Sequence, residues 1–128
     1  MSFFKNLFGN EEQQRNSLKI EWNPLTDIKQ LDAIVEESNS QPIVIFKHST
    51  RCNISRMVLK QFENEFDVVS GLVKPYYLDL LEFRPISNEI AAKFNVVHQS
   101  PQIIVLKNEL VVHDASHSDI QAGDLRNV

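Results

Sequence analysis

Cysteine is nearly absent from this 128-residue chain: Cys52 is the only one. An internal disulfide is excluded, so any disulfide must join Cys52 to another molecule. A chain without a disulfide framework suits a reducing compartment, and a cytoplasmic location is expected. Long apolar runs are missing too. None approaches the roughly 20 residues of a membrane helix, so no transmembrane span is expected. The first residues lack the extended apolar core of a secretory signal. There are three glycines and no Gly-rich phosphate loop, which leaves nucleotide binding without support. Positive charge is in the minority, 13 Lys and Arg against 17 Asp and Glu, for a net charge of -4. That balance argues against nucleic acid as the main partner.

What is present is ordinary for a globular protein: 42% hydrophobic and 23% charged residues. The length suggests one domain with a core large enough to fold without staples. Residues 1–16 are set apart as an N-terminal arm and linker. Phe4, Leu7 and Phe8 would share a helical face there, while Asn10 to Asn16 is polar. Residues 17–128 form the expected domain.

Within it, Leu18 to Trp22 alternates like a half-buried strand, and Asn23-Pro24 signals a turn. Thr26 is placed as the N-cap of a helix carrying Ile28, Leu31, Ile34 and Val35 on one face. Ile43 to Phe46 has no polar alternation and is predicted to be a central strand covered on both faces. A helix follows to about Phe66, with an apolar stripe through Ile54, Met57, Val58 and Phe62. Pro75 to Leu80 is a further strand, and Pro85 suits the first turn of a helix with Ile86, Ile90, Ala91 and Phe94. Gln102 to Lys107 and Leu110 to His113 make a hairpin, and Ser116 is placed as the cap of a final helix through Ile120 and Leu125. Strands alternating with helices predict an α/β protein with a largely parallel sheet, to which the late hairpin adds antiparallel strands.

Cys52 falls where a strand hands over to a helix. With Thr50 near the N-cap, the sulfur sits in the first turn, where unpaired N–H groups and the helix dipole favour an anion. Arg51 and Arg56 add positive charge, as would a protonated His48, and Ser55 is placed to donate its hydroxyl hydrogen to the sulfur. A thiolate is the form that attacks disulfides. In Cys52-x-x-Ser55 a serine stands where a dithiol site has its second, resolving cysteine. A mixed disulfide on Cys52 must then wait for a thiol from solution, so the chain is expected to act as a monothiol carrier. The competing description of a lone cysteine is a small buried hydrophobe. The second feature is Ser100-Pro101, opening a strand. Such a bond is usually trans and then simply opens the strand; a cis bond there would turn the preceding backbone toward the sulfur, leaving an N–H and a C=O free to pair with a bound substrate.

The Thr50-Arg51-Cys52-Asn53-Ile54-Ser55 loop, the Ser100-Pro101-Gln102 segment and the order of elements resemble the thioredoxin superfamily. More narrowly, they resemble its monothiol bacilliredoxins of the YtxJ type, over roughly Leu18 to Val128. The resemblance implies a thioredoxin-like fold, a mixed central sheet with helices on both faces. It implies an oxidoreductase that removes bacillithiol, or a similar low-molecular-weight thiol, from S-thiolated client proteins. Cys52 would be the nucleophile with Ser55 as its support, and Thr50, Arg51, Asn53, Ser100 and Pro101 would bind substrate. No cofactor is implied beyond bacillithiol as co-substrate. Asn53 stands where the family often has proline. The carboxylates of bacillithiol would meet Arg51, Arg56 or Lys93, and His98 would line the same groove. The alternative is a non-catalytic thioredoxin-like adaptor that binds a partner through that groove.

Other groupings carry less. His113 and His117 are four apart, and His48 lies four before Cys52, spacings that would suit metal ligands. His113 and His117 straddle a strand end and a helix start and would not share a helical face, and no metal site is expected. A shared iron–sulfur cluster would need thiol ligands from another molecule. Asp79 and Glu82 do not read as a paired-carboxylate site. Asp79 is placed at its strand end near the cysteine, as a candidate proton relay.

Overall fold

A computed structural model describes residues 20–66 and 69–128 of the chain. The Phe3, Phe4, Leu7 and Phe8 arm, the boundary at residue 16 and the start of the expected Leu18–Trp22 strand lie outside those residues. The described elements are β1 (Asn23–Pro24), α1 (Gln30–Glu37), β2 (Ile43–His48), α2 (Asn53–Glu65), β3 (Lys74–Asp79), α3 (Arg84–Phe94), β4 (Gln102–Lys107) and β5 (Leu110–Ser116). Two short 3-10 segments, His117–Asp119 and Ala122–Asn127, close the chain.

The five strands form one mixed sheet in the order β1-β3-β2-β4-β5. β1, β3 and β2 run parallel, while β4 is antiparallel to β2 and to β5. β2 is central, and all six of its residues are buried. Its even positions, Val44 and Phe46, face one apolar cluster with Phe62, Phe66, Ile103 and Val105. Its odd positions, Ile43 and Ile45, face a second cluster with Leu31, Ile34, Ile90 and Ile104. Alternating side chains of a strand covered on both faces must both be apolar, and this explains the unbroken hydrophobic run. Trp22 packs on Phe46, Phe62 and Tyr77 and donates its indole N–H to Glu63 at 2.7 Å.

Several expectations need correction. Residues 20–22 are not strand, and Asn23-Pro24, taken as a turn, is the short β1 paired to Tyr76 and Tyr77. Thr26 does not cap α1. The Gln30 Oε1 accepts the N–H groups of Thr26 and Asp27, so residues 26–29 are tied as a turn and the helix begins at Gln30. The stripe on α2 is rotated: Ile54 is 59% exposed and Met57 71%, while Ser55 and Phe62 are buried. No α-helix follows Ser116. His117 takes a left-handed φ of 55°, and Ile120 and Gln121 are extended, so the chain advances in 3-10 turns instead. The hairpin is as expected, with β5 running on to Ser116. Its turn residues Asn108 and Glu109 both have positive φ, the type I′ pattern whose twist suits tight hairpins.

Candidate functional site

The sheet order brings three segments to one end of the molecule. β2 leads into Cys52 at its C-terminal end. Lys47 pairs with Gln102, so the antiparallel β4 begins beside it, immediately after Pro101. Gln102 in turn pairs with Ser116 at the end of β5, and the His117 N–H donates to the Pro101 carbonyl at 3.0 Å. The Ser100–Pro101 peptide bond is cis. Thus Thr50 to Ser55, Ser100-Pro101 and the turn at His117 lie at the same end of the sheet.

Cys52 is the N-cap of α2 rather than part of its first turn. Its backbone is extended, its carbonyl accepts the Arg56 N–H at 3.0 Å, and its own N–H donates to Ser49. An N-cap side chain normally offers an oxygen to the helical N–H groups of the first turn. Here a sulfur stands in that place and makes no capping hydrogen bond. The residue is half-buried and its thiol is free. Negative charge at a helix N-terminus is stabilised by the unpaired N–H groups and the dipole. The buried-hydrophobe description of Cys52 therefore does not fit its surroundings.

Ser55 does not turn its hydroxyl to the sulfur. It is fully buried, and its Oγ accepts the Ser49 N–H at 3.1 Å and lies 2.7 Å from His48 Nδ1. It braces the floor of the loop, tying the start of α2 to the end of β2. His48 is 3% exposed, and burial holds its pKa below the ordinary histidine range despite the opposing pull of Asp79. At neutral pH it is an uncharged imidazole, not the extra positive charge expected from sequence. Asp79 does end β3, opposite His48, where its carboxylate accepts the N–H groups of Leu81 and Glu82.

Thr50, Arg51 and Asn53 are exposed around the sulfur. Arg56 folds back on the loop, donating to the Thr50 carbonyl and to Asn53 Oδ1. Asn53 therefore adds a hydrogen bond where proline could not. Lys93 does not belong to the site. It lies in the last turn of α3 and is engaged by Asp32 of α1 at 2.9 Å. No group of three His, Cys, Asp or Glu side chains is gathered to hold a metal among the described residues. The Ser100 hydroxyl is buried and makes no hydrogen bond among the described residues.

The residue that sequence reasoning passed over is Lys47. It is fully buried, yet its Nζ lies 2.9 Å from Gln102 Oε1 and 2.8 Å from His98 Nδ1. Burial, with Arg84 nearby, pushes its pKa down to about 8. The available signal was position. Lys47 continues the odd-numbered face of β2 that carries Ile43 and Ile45, so it had to point inward.

Comparison with known proteins agrees with this architecture. A family model described as Monothiol bacilliredoxin BrxC matches residues 23–125. A solved structure described as a candidate oxidoreductase with a thioredoxin fold is 32% identical, covers 88% of this chain and 95% of its own, and superposes with a TM-score of 0.71. Thioredoxin from Fasciola hepatica is 20% identical, covering 82% of this chain and 93% of its own at a TM-score of 0.61. Thioredoxin from Malassezia sympodialis is 16% identical, covering 85% and 88% at 0.63. These two share the fold.

Proposed function

The chain belongs to the monothiol bacilliredoxin family, and from that premise we propose that it removes bacillithiol, or a closely similar low-molecular-weight thiol, from S-thiolated client proteins. Its chemistry is thiol–disulfide exchange on a thioredoxin fold. The observation that supports the fuller reading is a free, half-buried cysteine at the head of α2, with serine rather than cysteine at the resolving position.

The Cys52 thiolate attacks the small-thiol sulfur of the mixed disulfide. A sulfur–sulfur bond forms to Cys52, the old one breaks, and the client leaves as a thiolate that takes a proton from water. A second small thiol, as its thiolate, then attacks the adduct sulfur. Cys52 is released, and the two small thiols leave as their own disulfide. The number of disulfide bonds is conserved: the client sulfur is reduced at the expense of the incoming small thiol, which ends oxidised in the small-thiol disulfide. Ser55 supports this from below by fixing the loop, while Thr50, Arg51 and Asn53 present polar groups at the rim. Ser100-Pro101 forms the facing wall. Ile54, Met57 and Val97 are strongly exposed apolar side chains around the loop and suit contact with a protein client. No helix among the described residues is long and apolar enough to cross a membrane.

Intact-mass measurement tests the proposal. The reduced protein is mixed with a client carrying one bacillithiol. The client should lose the adduct mass while this protein gains it at Cys52, and added bacillithiol should return the protein to its free mass. Cys52→Ser should transfer nothing. A client that keeps its adduct with the unaltered protein would overturn the activity. Equal transfer from a glutathione adduct would overturn the preference.

A further inference from the structure

Beneath the Ser100-Pro101 wall lies a polar cluster that the exchange chemistry leaves unused. Lys47 is fully buried on β2 between β3 and β4, with the Arg84 charge of α3 nearby, and it forms no ion pair among the described residues. Its two acceptors are uncharged. Gln102 Oε1 also accepts the Gln99 N–H, and Gln102 Nε2 donates to the Val97 carbonyl at 3.0 Å, so this one side chain pins both ends of the 97–102 segment. His98 sits in that segment, exposed, with Nδ1 turned inward to Lys47 and 3.4 Å from the Ser87 hydroxyl. An ammonium group donates and cannot accept. The His98 proton must then be on Nε2, the ring nitrogen on the outward edge. Burial, Lys47 and Arg84 all disfavour the imidazolium and keep the ring neutral.

We propose that Lys47 is a positioning residue that fixes His98 in its Nε2–H form, so that His98 donates a hydrogen bond from the groove rim to a carbonyl or carboxylate oxygen of the small-thiol half of the mixed disulfide. This role for His98 rests on the exchange reaction above, whereas the fixed tautomer does not. The arrangement explains a buried cation with no counter-ion. A lysine can hold the far nitrogen of an imidazole as donor only, so it specifies one tautomer. A serine or water in its place would leave both open. The Lys47–Gln102 pair also sets the height of the Ser100 wall relative to Cys52, since both residues sit in the last ladder positions before the loops diverge.

Long-range nitrogen–proton NMR of the full-length, labelled protein reads the tautomer directly, with His98→Gln identifying the resonances. At pH 7 the expected pattern is a neutral ring protonated at Nε2. In Lys47→Met the tautomers should mix and the titration midpoint should rise toward the ordinary histidine value. In exchange assays His98→Ala should raise KM for the bacillithiol-carrying client about fivefold, the worth of one hydrogen bond, with kcat changed less than twofold. His98→Gln, which keeps a donor, should recover part of that loss. Lys47→Met combined with His98→Ala should be no worse in KM than His98→Ala alone. An Nδ1–H or protonated ring in the unaltered protein overturns the proposal, as does a double variant whose KM rises by the product of the single effects. If Lys47→Met does not fold, the tautomer of the unaltered protein and the His98 variants still decide. The NMR result needs no exchange chemistry, so it stands or falls separately from the proposed reaction.

Discussion

Replacing Ser55 by alanine isolates the brace under the cysteine loop. The substitution removes one oxygen and leaves two groups that it satisfied: the Ser49 N–H, which donates to it at 3.1 Å, and His48 Nδ1, 2.7 Å away. A buried polar group left without a partner costs about 1–3 kcal/mol. Ser49 is half-buried and its N–H can recruit water, so its share falls at the low end, while His48 is enclosed and pays closer to the middle. The sum is about 2–3 kcal/mol, a large part of the 5–15 kcal/mol that holds a typical domain together. At roughly 4 °C per kcal/mol for a domain of this size, Tm should fall by about 10 °C. Urea unfolding followed by the fluorescence of Trp22, which packs on Phe46 and Phe62, gives the number directly. The midpoint should drop with the slope unchanged. Ile54→Ala, at a position 59% exposed on the same helix, should lie within about 0.5 kcal/mol of the unaltered protein. Exchange by Ser55→Ala should slow but persist, because the sulfur and its helix remain. A loss of under about 0.5 kcal/mol would refute the bracing role and show that His48 and Ser49 are satisfied otherwise.

Three further outcomes follow from the same geometry. Burial lowers the His48 pKa in the folded state, so the unfolded chain binds protons first as pH falls below about 6.5. Stability should therefore be intact above that value and decline below it, and urea midpoints measured from pH 7.5 to 5 should show a shallower decline in His48→Gln. Lys47 has the same sign in an alkaline window: with a folded value of about 8 against 10.5 unfolded, the folded chain gives up its proton first, and stability should rise on the order of 1–2 kcal/mol from pH 8 to 9.5. Burial raises Tyr76 and Tyr77, which stay protonated through that window, and Lys47→Met should flatten the rise. Ser55→Cys creates a dithiol, and its mixed disulfides should resolve without external thiol, seen as a loss of two hydrogens in intact mass. Its stability should still fall, because a thiol is a poor acceptor for the Ser49 N–H.

The sequence made the Cys52 end of the molecule legible because backbone punctuation is local. An unbroken Ile-Val-Ile-Phe run, four residues long and followed by turn-forming residues, suits a covered strand, and Ser100-Pro101 suits the opening of another. Together with the order of elements and the resemblance to the thioredoxin superfamily, those two segments put the Cys52 loop and Ser100-Pro101 at one end of the sheet. What failed was the assignment of polar residues to faces. Met57 and Ile54 looked like core and Ser55 like a donor to the sulfur, yet the helix turns Ser55 inward, where its hydroxyl meets His48 and the Ser49 N–H. The true stripe runs through Ser55, Val58, Leu59, Phe62 and Phe66. Lys47 escaped notice for a related reason. A lysine after four apolar residues reads as the exposed end of a strand, and only its neighbours in space, Gln102 and His98, show why it stays inside. The final helix failed because capping residues were present at Ser116 while the following backbone was extended at Ile120 and Gln121, a choice made by docking Ile120, Ala122 and Leu125 onto the sheet.

β2 is hydrogen-bonded along both edges and walled by side chains on both faces, and the Cys52 sulfur stands only four residues past its end. The proposed nucleophile is thus mounted on a strand held from every side rather than on a hinged flap. Heating should not silence it piecemeal: loss of exchange and collapse of the whole sheet should trace one curve.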